Sequence, residues 1–147
     1  LASWSGLPMA QARAAMQSIA DRLDEVEMAG APAWMLPQRD APPAERAVRL
    51  LPSYDTYLLG YRRRDLIVAE SHASRVHPGG GQIKPALVVD GRVVGVWRSI
   101  RRRGTVTIAV EPFEPLDVDI LPALEDEARD VGRFLGVRAE LYVEPPG

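Results

Sequence analysis

Apolar positions along the chain follow two periods, and the switches between them mark the expected elements. Leu1, Trp4 and Leu7 fall at helical spacing with no capping residue ahead of them, so residues 1–6 read as the tail of a helix stopped at Gly6. Pro8 suits a first helical position, and Met9, Ala12, Met16, Ile19 and Leu23 recur every three or four residues, which predicts a second helix over 8–23. Short apolar runs at 26–28 and 33–36 flank Ala29 and Gly30 and predict a hairpin. Helix, helix, hairpin is the order of a winged helix, here a partial one over 1–37. Residues 37–45 carry Pro37, Pro42 and Pro43 with few bulky apolar side chains, and a linker is expected over 38–43.

Beyond the linker the period shortens to two. Residues 50–61 and 66–68 have strand-like aromatic and aliphatic content, and His77-Pro78-Gly79-Gly80-Gly81 is a loop. Residues 84–89 predict a strand that turns at Asp90-Gly91, a pair suited to a tight hairpin. A second hairpin is expected from 92–100 and 105–111 across 101–104, with Val106, Ile108 and Val110 on one face and Thr105, Thr107 and Ala109 on the other. Leu121, Leu124, Ala128, Val131 and Leu135 then form one helical stripe, which Gly136 stops. Val137, Ala139, Leu141 and Val143 alternate with polar residues in a closing strand. The predicted class is α+β: the partial winged helix, then an antiparallel β meander over 44–147, closed barrel-like, with one packed amphipathic helix. Trp4, Trp34 and Trp97 lie in apolar-patterned elements, where core packing is the expectation.

Composition narrows the function classes. A chain of 147 residues with 46% apolar content can bury a core. The absence of cysteine excludes disulfides and thiolate chemistry and accords with a cytoplasmic protein, nucleoid-associated if bound to DNA. No apolar run approaches the roughly 20 residues that span a bilayer, so no membrane partner is expected. The net charge of −2 hides an uneven distribution: residues 62–103 hold ten Lys or Arg against three acidic residues, a net of +7 that leaves −9 for the remainder. The middle of the chain is suited to a polyanion.

The candidate contacts are the triplets Arg62, Arg63, Arg64 and Arg101, Arg102, Arg103, both at predicted turns, with Arg75, His77 and Lys84 around the glycine loop. Guanidinium groups grip phosphates, and glycines let a backbone approach a duplex. Gln11, Arg13 and Gln17 lie along the second helix as possible groove contacts, although Asp21, Asp24 and Glu25 beside them repel phosphate. Asp55 is a carboxylate in an apolar setting, but His72 and His77 have no third ligand at metal spacing, and no phosphate loop or dinucleotide fingerprint occurs. No metal and no cofactor is expected.

The blocks LLPSYDTYLLGY at 50–61 and PALVVDGRVVGVWR at 85–98 resemble the tandem winged-helix DNA glycosylase family typified by AlkZ and YcaQ, and Trp4-Ser5-Gly6-Leu7 with the following helix resembles the family's last winged helix. The resemblance implies a parent hydrolase that excises alkylated or crosslinked bases with a Gln-X-Gln or Gln-X-Asp motif in its N-terminal region. No catalytic residue carries over: Gln11 and Gln17 are outside any such motif, and Gln82-Ile83-Lys84 ends in Lys84. The resemblance implies that residues 75–82 form a DNA-probing element. The expected function is therefore contact with double-stranded DNA, damaged or intact, beside the N-terminal part of the same protein that holds the chemistry. Two rival readings stand: a structural or protein-interaction module whose arginines pair with an acidic surface, either its own 125–130 helix or the N-terminal winged helices of the same protein, and an enzyme using Asp55 with His72 or His77.

Overall fold

The periodicities of the sequence become two sets of elements in the computed structural model, which describes residues 1–28, 30–37, 46–61 and 64–146. The expected linker at 38–43 and the candidates Arg62 and Arg63 lie outside the described residues. Backbone contacts divide the chain into one unit of Leu1–Ala44 with Leu59–Arg62 and a second of Glu45–Leu58 with Arg63–Gly147.

In the first unit, α1 (Ala2–Ser5) ends at Gly6, whose φ of 70° lets its amide reach back to the Ala2 carbonyl. Pro8 precedes α2 (Met9–Gln17), which is shorter than the periodicity suggests. The helix stops where the Ser18 hydroxyl donates to the Ala15 carbonyl, and a single 3-10 turn (Ala20–Arg22) carries the apolar stripe onward. β1 (Asp24–Met28) pairs antiparallel with β2 (Ala31–Met35) across Gly30. Trp4 and Trp34 do not form a core, being 62% and 56% exposed. Among the described residues of this unit only Ala12 is buried, because two short helices and one hairpin bury too little surface to enclose an indole.

The second unit contains β3 (Val48–Leu51), α3 (Thr56–Leu59, all but its last residue), α4 (Ala73–Val76), β4 (Ala86–Val89), β5 (Arg92–Arg102), β6 (Thr105–Pro112), α5 (Leu121–Leu135) and β7 (Arg138–Val143). The strand expected over 50–61 ends early: Tyr54 adopts φ 62°, and the Asp55 carboxylate accepts the Tyr57 amide at 2.8 Å to start α3. The strand expected over 66–68 is a turn, with the Ile67 and Val68 amides both donating to the Arg64 carbonyl. Ile67 and Val68 are nonetheless buried, so their apolar character serves packing rather than pairing. Asp90 (φ 49°) and Gly91 (φ 81°) form the predicted two-residue turn.

The sheet runs β3-β4-β5-β6-β7, and here the antiparallel expectation needs correction, because β7 pairs parallel to β6. α5 returns the chain to the starting end of β6, and a connection of that length permits parallel pairing where a tight turn enforces the antiparallel one. The sheet is mixed and curled into a half-barrel. Its inner face presents Val48, Leu50, Leu87, Val106, Ile108 and Val110 to Leu124 and Ala128 of α5. α5 packs on both edge strands, β3 and β7, and the Glu127 carboxylate accepts the Leu50 amide at 3.0 Å, satisfying a donor on the β3 edge. Outside the curl, Val88, Val93 and Val96 pack with Leu58, Ile67, Val76 and Phe113 in a second core. Among the described residues no helix is long and apolar enough to cross a membrane.

Candidate nucleic-acid interface

The β5–β6 hairpin carries the basic candidates because its strands outrun the packed core. Its residues 98–104 are all exposed, whereas Val93 and Val96 are buried. β5 continues through Arg101 and Arg102, which pair with Val106 and Thr105, so the loop expected over 101–104 shrinks to Arg103 and Gly104. Alternation along a strand puts Arg101 and Arg102 on opposite faces. None of Arg101, Arg102 and Arg103 forms an ion pair among the described residues. Several other arginines have carboxylate partners. Arg49 meets Glu127 at 3.4 Å, Arg129 meets Asp126, Arg133 meets Asp130 and Arg98 meets Glu144.

Arg75 lies toward the opposite end of the hairpin. Arg75 is on α4, with Nη2 2.7 Å from Glu111 Oε1 and its guanidinium 4.5 Å above the centre of the Phe113 ring, on which His72 also stacks at 4.5 Å. Glu111 pairs with Val96 in the sheet, six residues before Arg102, which at the rise of a strand is about 20 Å away. Arg75 and the tip triplet are thus well separated along one hairpin. Arg64 is exposed, and Lys84 is exposed with its amide donating to the Val76 carbonyl at 2.9 Å. Both ring nitrogens of His77 are buried without a hydrogen-bond partner among the described residues. Desolvation, and next the charge of Arg64, hold the His77 pKa below the usual 6.5. The 75–82 segment is the end of α4 followed by a tight turn, where Gly79 and Gln82 bridge and three successive glycines take positive φ.

In the first unit Gln11, Arg13 and Gln17 are all exposed on α2. Arg13 and Gln17 rim a cleft of about 540 Å³ whose apolar wall includes Leu1, Met9, Met16 and Trp34, and Gln11 is outside it. The Asp55 carboxylate caps α3 and does not line the cleft of about 390 Å³ that holds His72, Arg92, Glu114 and Asp117. Arg46, which pattern reading passed over, holds Asp117 at 2.9 Å, Asp119 at 3.2 Å and Asp90 at 3.0 Å, and these bonds raise its pKa in that order. The Asp90 pKa is lowered first by the Ala47 amide and then by Arg46. Nothing in the local sequence signals this clamp, since its carboxylates are 44 to 73 positions away. Among the described residues no group of three or more side chains is placed to hold a metal ion.

Residues 1–134 match a family model described as DNA glycosylase AlkZ-like. A curated relative from Streptomyces sahachiroi, an interstrand DNA cross-link repair glycosylase, is 40% identical over 124 residues, covering 80% of this chain and 32% of the relative. The solved structure of Streptomyces sahachiroi DNA glycosylase AlkZ is similar with a TM-score of 0.67 at 32% identity, covering 94% of this chain and 38% of that one. The chain spans about a third of the length of these relatives.

Proposed function

Since the chain belongs to the AlkZ-like DNA glycosylase family, we propose that it binds double-stranded DNA, damaged or intact, through the backbone and contributes grip rather than bond cleavage. One observation carries this reading: the exposed triplet at 101–103 is unpaired among the described residues, while Asp126, Glu127 and Asp130 of the acidic helix are paired with other arginines. Of the two partner surfaces open to the rival reading, the acidic helix is disfavoured, since its Asp126 and Asp130 pair with Arg129 and Arg133 on the same helix. The helix, helix, hairpin order of the first unit supports a partial winged helix over 1–37, with Gln11, Arg13 and Gln17 as secondary DNA contacts. Base excision of the kind named for the relatives belongs, in this account, to the two thirds of their length that this chain does not match. The exposed Leu1, Trp4, Met9 and Trp34 support a second role, in which the first unit packs against further segments of the same protein.

Each phosphate neutralised by a cation releases counterions, so duplex affinity should fall with salt by about 0.9 in log–log slope per contact. A fluorescence-anisotropy titration from low to high salt is expected to give such a slope, and an Arg101→Ala, Arg102→Ala, Arg103→Ala variant to bind more weakly with a shallower one. Binding that ignores both salt and the triple substitution sinks the proposal.

A further inference from the structure

The pairing register arranges the outer ends of β5, β6 and β7 as a grid on the face turned away from α5, exposed along β5 and β7, half-buried at Thr105 and Thr107, and buried at Ala109. Val106, Ile108 and Val110 of β6 point into the inner core, so the residues between them point outward. Across the three strands the outward rows are Arg102, Thr105 and Arg138, then Ile100, Thr107 and Glu140, then Arg98, Ala109 and Tyr142. The parallel return of β7 is what brings Arg138 into the row at the hairpin tip. Arg101 lies on the other face of β5.

The rows differ in the charge they offer. In the tip row Arg102 has no ion-pair partner among the described residues, and Arg138 approaches only Glu140, at 4.0 Å with side chains 79% and 56% exposed. An ion pair that long and that exposed is worth little and yields readily to a phosphate. Glu140, one row inward, repels a backbone that strays there, and farther in Arg98 is held by Glu144. The two arginines of the tip row flank the Thr105 hydroxyl, a neutral hydrogen-bonding group suited to a phosphate oxygen.

Resting on the DNA-binding reading above, we propose that this outer face seats a DNA strand, with Arg102 and Arg138 gripping its phosphates across Thr105. On this face the hairpin's grip comes from Arg102, and it extends to β7, where no basic run marks it in the sequence.

The test is duplex binding by the full chain across a salt series, with Arg101→Gln, Arg102→Gln, Arg138→Gln and Glu140→Gln compared. Arg102→Gln and Arg138→Gln should each weaken binding severalfold at low salt and reduce the salt slope by about 0.9. Arg101→Gln, on the other face of β5, should weaken binding less than either. Glu140→Gln should tighten binding by roughly two- to fivefold at low salt, a gain that misfolding cannot imitate. Wild-type binding by Arg138→Gln and Glu140→Gln, beside a defect in the triple arginine variant, overturns the outer-face assignment and leaves DNA binding standing. Salt-independent or absent binding by the wild-type chain overturns both.

Discussion

His77 shows what a residue list cannot reveal. Its neighbours in sequence are a proline and three glycines, which suggests an exposed loop, yet its two ring nitrogens are buried and unpartnered among the described residues. The flanking Val76 and Ile83 are core residues, and the ring follows them inward. A buried imidazole resists protonation, and its folded pKa lies below the usual 6.5. The unfolded chain therefore binds more protons in the window just below 6.5, so stability is full above that pH and declines as pH falls toward the lowered value. His77→Leu removes the titrating group and should flatten this dependence. Urea midpoints at pH 8 and pH 5 check it: wild type should lose more than the variant, and equal losses contradict the assignment.

At the scale of elements, α5 is the piece on which the half-barrel depends. Its stripe of Leu121, Leu124, Ala128, Val131 and Leu135 was legible because a period of 3.6 leaves one apolar face, and Gly136, at φ 68°, ends it as expected. The alternation of β7 was legible too, but its direction was not, because a period of two is identical in parallel and antiparallel strands. Within α5, Gly132 lies where a Cβ would come 2.7 Å from Ala139 Cβ and 2.9 Å from the Val137 carbonyl oxygen. Alanine is the better helix former by about 1 kcal/mol, but overpacking a tight helix–strand contact costs about 1–3 kcal/mol. The clash involves backbone and a short side chain that cannot swing away, so Gly132→Ala should lower stability by about 1 kcal/mol or more. A denaturant titration in which the variant matches or exceeds wild type contradicts the packing described for α5 and β7.

At the scale of the whole molecule, the charge asymmetry of the sequence picked out a region without its geometry. Residues 62–103 hold the basic excess, and linear proximity suggested a single patch. The hairpin instead puts Arg75 near its base, bonded to Glu111, and Arg101, Arg102 and Arg103 at its tip, about 20 Å on by strand rise. Pairing through long-range contacts also decided which arginines are engaged: Arg46 is clamped by three aspartates from two loops, while the tip triplet has no partner among the described residues. Local pattern reports neither fact, since both depend on where distant segments meet. The family was legible in the blocks at 50–61 and 85–98, which form the turn into α3 and the β4–β5 hairpin, features fixed by specific residues such as Asp55, Asp90 and Gly91.

The central claim, that DNA is gripped at the hairpin tip, is tested most directly by backbone amide NMR during titration with a short duplex at low salt. The account predicts that the largest shifts fall on residues 101–105 and on Arg138, and that they fade as salt is raised. Shifts centred on α5 or on the base of the hairpin, with the tip unmoved, would contradict it.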